Sequence, residues 1–237
     1  MTIRPARRGE LREGAALLAG ALGFPAAEAI PAWLMQLTGA AGGLALVARE
    51  DDRCVGFSYA FPGVEPAGPF LFSCGLAVAE DRHGCGIGRA LKLAQREHAL
   101  ALGYRIIRWT ADPLNAPALR LYLNRLGARV VGYEAGLHDG VRLAGVLPQD
   151  DVRIEWRIAA AEPPIGAGEP PIGAGEPPIG DAAPAVELPD APPIPEDGLA
   201  WRLRVREHVT RALADGWIGV RVANDHGRCR LVFGAPR

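Results

Sequence analysis

The residues best suited to chemistry form a glycine-rich turn at residues 75–89, which read GLAVAEDRHGCGIGR. An apolar, strand-like run ends there, and three alternating glycines, Gly84, Gly86 and Gly88, then open an amphipathic helix. Glycine lets a backbone approach a phosphate closely and adopt positive φ. The unpaired N–H groups and the dipole at a helix start attract an anion, and Arg89 adds a charged donor. The pattern indicates a cradle for a pyrophosphate.

The spacing of these glycines separates the turn from two other phosphate-binding loops. It lacks the G-x-G-x-x-G order of dinucleotide-binding folds, and no Gly-Lys-Ser/Thr follows it as in a P-loop. Taken by itself, the turn leaves one alternative open, a helix entry whose glycines merely permit a tight turn.

Two motifs in the same chain resemble a known family. Residues 83–88, HGCGIG, resemble motif A of the GNAT N-acetyltransferase superfamily, Gln/Arg-x-x-Gly-x-Gly/Ala, with histidine in the Gln/Arg position. Residues 115–128, NAPALRLYLNRLGA, resemble motif B, Asn-x-x-Ala-x-x-Leu-Tyr followed by Leu-Gly-Phe. One extra residue lies between Tyr122 and Gly127, and Ala128 replaces the phenylalanine. Two motifs in the expected order are far more specific than either alone.

The resemblance covers about residues 1–158 and, more weakly, the C-terminal segment. Residues 90–114 also resemble a little-characterised subgroup of predicted GNAT acetyltransferases. The GNAT resemblance implies an α/β fold with a mixed central sheet flanked by helices, in which the fourth and fifth strands splay apart to admit the cofactor. The implied activity is that of an acyl-CoA-dependent N-acyltransferase, in which an amine attacks acetyl-CoA directly and no metal takes part. A non-catalytic acyl-CoA sensor, or an interaction protein on the same fold, is the alternative.

The resemblance also implies a set of site residues. The tyrosine of motif B, Tyr122, would protonate the leaving CoA thiolate as general acid. Asn115 would cap its helix and also contact the cofactor. Backbone groups at residues 76–78 would pair with the pantetheine amides and stabilise the oxyanion. The implied cofactor-binding residues are Leu76, Ala77, Val78, His83, Gly84, Cys85, Gly86, Ile87, Gly88, Arg89 and Asn115.

The sequence does not identify which group acts as the general base. A water molecule could serve, and the candidate side chains are those of Glu65, Ser73, Cys74, Glu80, His83 and the His138–Asp139 pair. Asp112 either orients a substrate amine or caps the turn before Pro113.

Hydrophobic periodicity predicts the element order β-α-α-β-β-β-α-β-α-β-β. The expected strands are residues 3–8, 43–49, 54–61, 70–78, 104–110, 129–133 and 152–158, and the expected helices are 11–22, 26–37, 86–102 and 115–126. The third helix shows one apolar stripe, formed by Ile87, Ala90, Leu91, Ala94, His98, Ala101 and Leu102.

The remainder of the chain predicts a linker and a small appendage. Residues 162–182 are three seven-residue units that begin Glu-Pro-Pro-Ile-Gly, a composition typical of a semi-extended linker. We therefore expect an acyl-CoA-binding domain at 1–159, a linker at 160–184 and an α+β segment at 185–237. That segment contains an expected helix at 199–213 and a hairpin, and we expect it to pack on the first domain or on a partner subunit.

Composition narrows the class of protein. The 237 residues are 49% hydrophobic with a net charge of −1, and they lack the concentrated basic face of a nucleic-acid-binding protein. No apolar run is long enough to span a membrane and no signal peptide is evident, which favours a cytoplasmic protein. The cysteines are scattered without a Cys-x-x-Cys pair, so we expect reduced thiols and no zinc site. The expected partner is a small-molecule or peptide amine, and a homodimer is left open.

Overall fold

The structure is a computed structural model of the whole chain. It describes residues 1–139, 148–159, 183–189, 195–225 and 228–235, so the predicted linker lies outside the described residues except for its last two, 183 and 184. Contacts divide the chain into two compact units. The first is built mainly from Met1–Trp109, and the second comprises Thr110–Asp139, Val146–Trp156 and Ala160–Arg237.

The first unit is built on a sheet in the order β1-β2-β3-β4-β5, antiparallel up to β4 and parallel between β4 and β5. Its strands are β1 (Thr2–Pro5), β2 (Leu44–Glu50), β3 (Arg53–Glu65), β4 (Gly68–Val78) and β5 (Ile106–Ala111), whose last two residues belong to the second unit. Its helices are α1 (Leu11–Leu22), α2 (Ala32–Ala40) and α3 (Ile87–Ala101).

Helices α1 and α3 cover opposite faces of this sheet. Phe57 on β3 is fully buried and lies where a side chain at Gly14 of α1 would be. A Cβ on the neighbouring Gly56 would instead lie 2.9 Å from Ile87 of α3. Because successive strand residues point to opposite faces, the two helices sandwich the sheet. The absence of a side chain at Gly56 lets α3, which begins at the end of β4, lie close against the strands.

The second unit is an antiparallel sheet in the order β7-β6-β9-β10-β8. Its strands are β6 (Arg129–Glu134), β7 (Asp151–Arg157), β8 (Ala185–Leu188), β9 (Ile218–Asp225) and β10 (Arg228–Gly234). Its helices are α4 (Ala116–Leu119), which continues as a π-helical turn over Arg120–Arg125, and α5 (Pro195–Ala214). The C-terminal segment therefore extends the sheet that begins with β7 and β6.

The predicted order of elements is confirmed, with local corrections. The first strand ends at Pro5, and a 3-10 turn occupies Arg8–Glu10. The expected helix at 26–37 is a 3-10 turn at Ala26–Glu28 followed by α2, because Pro31 holds an extended conformation at the N-cap. The helix expected at 115–126 changes to π-helical hydrogen bonding after its first turn.

Candidate active site

The glycine-rich turn opens α3 with its backbone donors exposed. Gly84 and Gly86 have φ of 77° and 79°, and Gly86 is the N-cap of α3. Left-handed backbone of this kind favours glycine. The first bond into the helix runs from the Ala90 N–H to the Gly86 carbonyl, at 3.0 Å. The N–H groups at residues 86–89 precede it and have no acceptor within the helix, as an anion site requires.

Two donors expected in this cradle are used within the turn itself. The N–H of His83 donates to the carbonyl of Glu80 at 3.2 Å, and the N–H of Cys85 donates to Arg82 at 3.4 Å. The His83 ring lies 3.0 Å from the carbonyl of Val78 and so fastens the turn to the end of β4. The donors left for an anion are those at residues 84 and 86–89.

Charge in the turn comes from Arg89. Arg82 pairs with Glu50 at 2.9 Å and with Asp81 at 3.0 Å, which neutralises its guanidinium locally. The Nε of Arg89 is buried and has no hydrogen-bond acceptor among the described residues. An orphaned buried donor of this kind is costly unless it meets an acceptor. Arg89 therefore fits an anionic ligand seated on the helix start.

Strand β4, which precedes the glycine-rich turn, has a β-bulge on the side that pairs with β3 and only two paired positions on the side that faces β5. Tyr59 of β3 faces Gly75 while Ala60 faces Ser73, so Cys74 is the extra residue of a bulge in β4. The register with β5 consists of two pairs, Leu71–Ile107 and Phe72–Arg108. Leu76, Ala77 and Val78 lie beyond these pairs, on the part of β4 where the two strands diverge. This limited pairing agrees with the predicted splay of the fourth and fifth strands.

A buried amine lies where β4 and β5 diverge. The Nζ of Lys92, on α3, donates to the Oγ of Ser73 at 2.9 Å and to the Oε1 of Gln95 at 3.4 Å, and it stands 3.8 Å from the ring centre of Trp109. Lys92 is 1% exposed, and burial lowers its pKa from 10.5 to about 7. Sequence reasoning missed this group, although a sole lysine on a core-facing helix was a signal.

In the second unit, Asn115 and Tyr122 lie on one helical segment. The Oδ1 of Asn115 accepts the N–H of Ala118 at 3.1 Å, so the predicted N-cap is present. Tyr122 is half-buried on the π-helical turn. Burial and the charge of Asp151 raise its pKa to about 12, so the phenol is protonated at neutral pH.

The π-helical turn accounts for the extra residue of motif B. A bond from the N–H of Leu126 to the carbonyl of Leu121, at 3.1 Å, spans five residues instead of four. The side chain of Asn124, within the same turn, bonds both the N–H and the carbonyl of Val222 on β9, each at 2.8 Å. The π-helical turn therefore accommodates the additional residue, and the side chain of Asn124 bonds this turn to β9.

The base candidates differ in their surroundings. Glu65 pairs with Arg108 at 2.6 Å, Ser73 accepts from Lys92, and burial raises the pKa of the Cys74 thiol. The Nε2 of His138 lies 3.1 Å from the Oδ2 of Asp151, a carboxylate that sequence reasoning did not single out.

Asp112 is engaged as a structural group. Its Oδ1 accepts the N–H of Leu114 at 2.9 Å, which caps the turn before Pro113, and Arg202 of α5 donates to the same oxygen at 2.7 Å. Of the two interpretations of Asp112, the turn cap is the one that these contacts support.

Comparisons with known proteins agree with this architecture. Residues 21–128 match the family described as Acetyltransferase (GNAT) family. Similar solved structures include YncA from Salmonella typhimurium, a putative acetyltransferase with its cofactor acetyl-CoA, at 19% identity and a TM-score of 0.55 over 69% of this chain and 97% of that one. A ribosomal-protein-alanine N-acetyltransferase from Brucella melitensis is 20% identical, with a TM-score of 0.53 over 65% of this chain and 98% of that one. No curated protein shows significant similarity to the chain.

Residues 21–128, a little under half of the chain, are thus similar to the GNAT acetyltransferase family, and the described architecture agrees with the GNAT fold. Within the described residues, no group of three or more His, Cys, Asp or Glu is arranged to hold a metal ion. Among the helices that the structure describes, none combines the length and the apolar character needed to cross a membrane.

Proposed function

We propose that this chain transfers the acetyl group of acetyl-CoA directly to a primary amine of a small molecule or peptide. The supporting observation is the order of three structural elements along the chain, in which β4 is followed by the glycine-rich turn and then by α3. A strand edge with little pairing leads into a helix start that presents backbone donors and Arg89. CoA carries amides along its pantetheine arm and a pyrophosphate beyond it, so one extended ligand matches both features.

The proposed roles follow the chemistry of each group. Backbone groups at residues 76–78 pair with the pantetheine amides, and one of their N–H groups stabilises the developing oxyanion. The N–H groups at residues 84 and 86–89, with Arg89, hold the pyrophosphate. Tyr122 protonates the leaving thiolate, and its pKa of about 12, raised by burial, keeps the phenol protonated at neutral pH before the reaction. Asn115 caps its helix and contacts the cofactor.

The first test is calorimetric titration with acetyl-CoA, with desulfo-CoA and NAD as comparison ligands. We expect micromolar binding of acetyl-CoA, no binding of NAD, and about tenfold weaker binding by Gly86→Ala, because a left-handed alanine costs roughly 1–2 kcal/mol. Gly20→Ala is the matched control, since Gly20 lies within α1 with open space around its Cα. Equal binding of NAD, or no binding at all, would mean that the turn is only a helix entry.

The second test separates an enzyme from a sensor. Release of CoA thiol is followed with a panel of amines that contains a tetrapeptide with a free α-amine, spermine and tyramine. Tyr122→Phe should retain acetyl-CoA affinity and lose at least a hundredfold in kcat. Tyr104→Phe is the control, because it removes only a bond of 3.0 Å to the carbonyl of Gly42. Binding without turnover for every amine would favour the sensor. The cytoplasmic location and the absence of nucleic-acid and membrane partners stay predictions.

A further inference from the structure

The turn that leads into the helix of Asn115 is held by a buried arginine of α5. The Nη1 and Nη2 of Arg202 donate to the two carboxylate oxygens of Asp112, at 2.7 and 3.3 Å, and the arginine side chain is 10% exposed. The same carboxylate accepts the N–H of Leu114, and the carbonyl of Asp112 accepts the N–H of Asn115 at 3.1 Å. Because a bidentate arginine–carboxylate pair fixes both distance and orientation, Arg202 holds the residue on which this turn is built.

The other end of the same helical segment is held by β9. The side chain of Asn124, on the π-helical turn, bonds both the N–H and the carbonyl of Val222, each at 2.8 Å. Tyr122, the proposed acid, lies two residues before Asn124 on this turn. One attachment therefore precedes Asn115 and Tyr122 along the chain and the other follows them, and both are made by the C-terminal segment. All of these residues belong to the second unit.

Helix α5 is itself anchored on the sheet of the second unit. Arg206, one helical turn after Arg202, donates through Nε and Nη2 to Asp150, at 2.9 and 2.6 Å. Asp150 also accepts the hydroxyl of Tyr133 at 2.6 Å, and its backbone carbonyl accepts the Nη1 of Arg202 at 3.3 Å. Although burial raises the pKa of Asp150, these donors lower it below its ordinary value, so the carboxylate is charged. Breaking a buried pair of this kind is strongly destabilising, so α5 is a fixed support for Arg202.

We propose that the C-terminal segment takes part in the proposed reaction, with Arg202 and Asp112 as positioning residues for Asn115 and Tyr122. This inference rests on the proposed function. A general acid has to lie within hydrogen-bond reach of the atom that it protonates, and a displacement of about 1 Å can cost about a hundredfold in rate. The two attachments fix the helical segment at both ends, and so fix where the phenol lies within its own unit.

The experiment compares Arg202→Met with Arg211→Met, which removes an exposed pair with Glu207 on the same helix. With the most active amine of the panel, Arg202→Met should lower kcat by a factor of about 10 to 100. Its acetyl-CoA affinity should stay close to that of the parent, because the glycine-rich turn belongs to the first unit. Asp112→Asn, which keeps an oxygen for the N–H of Leu114 but loses the charge that Arg202 meets, should also lower kcat. Arg211→Met should behave like the parent.

A second measurement separates positioning from a general loss of structure. If Arg202 acts through the phenol, Arg202→Met should cost little further rate in the Tyr122→Phe background, whereas a general defect would cost the same factor in both backgrounds. Added guanidinium should restore part of the rate of the smaller variant Arg202→Ala. Arg202→Lys, whose ammonium is a point charge that cannot reproduce the bidentate pair with Asp112, should have an intermediate kcat.

The outcomes distinguish this inference from the proposed function. An unchanged kcat in Arg202→Met and in Asp112→Asn, with Tyr122→Phe still inactive, would overturn the positioning role and leave the proposed function intact. Equal losses in the parent and Tyr122→Phe backgrounds would overturn it as well. If Arg202→Met does not fold, Arg202→Lys and Asp112→Asn decide the question in the same way. A parent protein that neither binds acetyl-CoA nor turns over would overturn both.

Discussion

The buried amine of Lys92 makes a quantitative prediction about stability and pH. Burial lowers its pKa from 10.5 to about 7, so between these pH values the unfolded chain holds a proton that the folded chain does not. The free energy of unfolding must therefore rise with pH across that window, by about 1.4 kcal/mol per pH unit. From pH 7 to pH 9.5 the contribution of Lys92 is about 3 kcal/mol. Below pH 7 the native state has to contain a buried ammonium, and this gain is absent.

The perturbation is Lys92→Met, which keeps the length of the side chain and removes its titration. Methionine leaves Ser73 and Gln95 without this donor, but that cost is the same at every pH. Urea unfolding of both proteins, followed by circular dichroism in steps from pH 6 to pH 9.5, gives two stability curves. Their difference isolates the lysine from the other groups that titrate in this range.

The expected result is a difference that changes by about 3 kcal/mol in favour of the parent between pH 7 and pH 9.5. Lys92→Arg, which does not titrate in this range, should follow the slope of the methionine variant. A difference that stays constant with pH would refute the argument, because it would mean that the amine titrates alike in the folded and unfolded chains.

Three further predictions concern other parts of the chain. Asn124→Ala removes both bonds to Val222 and should lower the free energy of unfolding by about 2–3 kcal/mol, measured by urea denaturation. The hydrogen bond from Arg4 is the main cause that lowers the pKa of Glu10 from 4.5 to about 2, so this pair stabilises the fold above pH 4.5 and is lost as the pH falls towards 2. Glu10→Gln should flatten the acid limb of the stability curve by roughly 1 kcal/mol, since solvent screens a surface pair. Iodoacetamide should alkylate Cys85 first, because it is the exposed cysteine, and acetyl-CoA should slow that reaction in a mass-spectrometric time course.

The sequence predicts features that depend on local backbone chemistry. The left-handed glycines and the Asn115 cap follow from residue type and spacing, and the structure contains both. The extra residue of motif B is visible in the sequence, but its π-helical turn is not. The contact that accompanies this turn comes from Val222, which is 98 residues away along the chain.

Hydrophobicity alone predicts the position of α3 along the chain but not which face of the helix is buried. The expected stripe runs through Ala90, Ala94 and Leu102, yet Leu102 is 51% exposed. The residues that the structure buries are Ile87, Leu91, Lys92, Gln95 and Ala99. Two polar side chains, Lys92 and Gln95, lie inside, where Lys92 donates to both Gln95 and Ser73, and periodicity cannot detect such tertiary contacts. The sequence leaves the general base open for the same reason, because the contact between His138 and Asp151 joins residues that lie 13 positions apart along the chain.

The placement of the sole lysine has a chemical consequence under the proposed function, in which the chain binds an activated acyl group. Thioesters acylate exposed amines without any catalyst, whereas a charged guanidinium resists them. Of the 26 lysine and arginine residues, 25 are arginine, and the one lysine is 1% exposed. The folded chain therefore presents its positive charge in a form that acyl-CoA does not consume. Its only side-chain amine is withdrawn from solvent by burial.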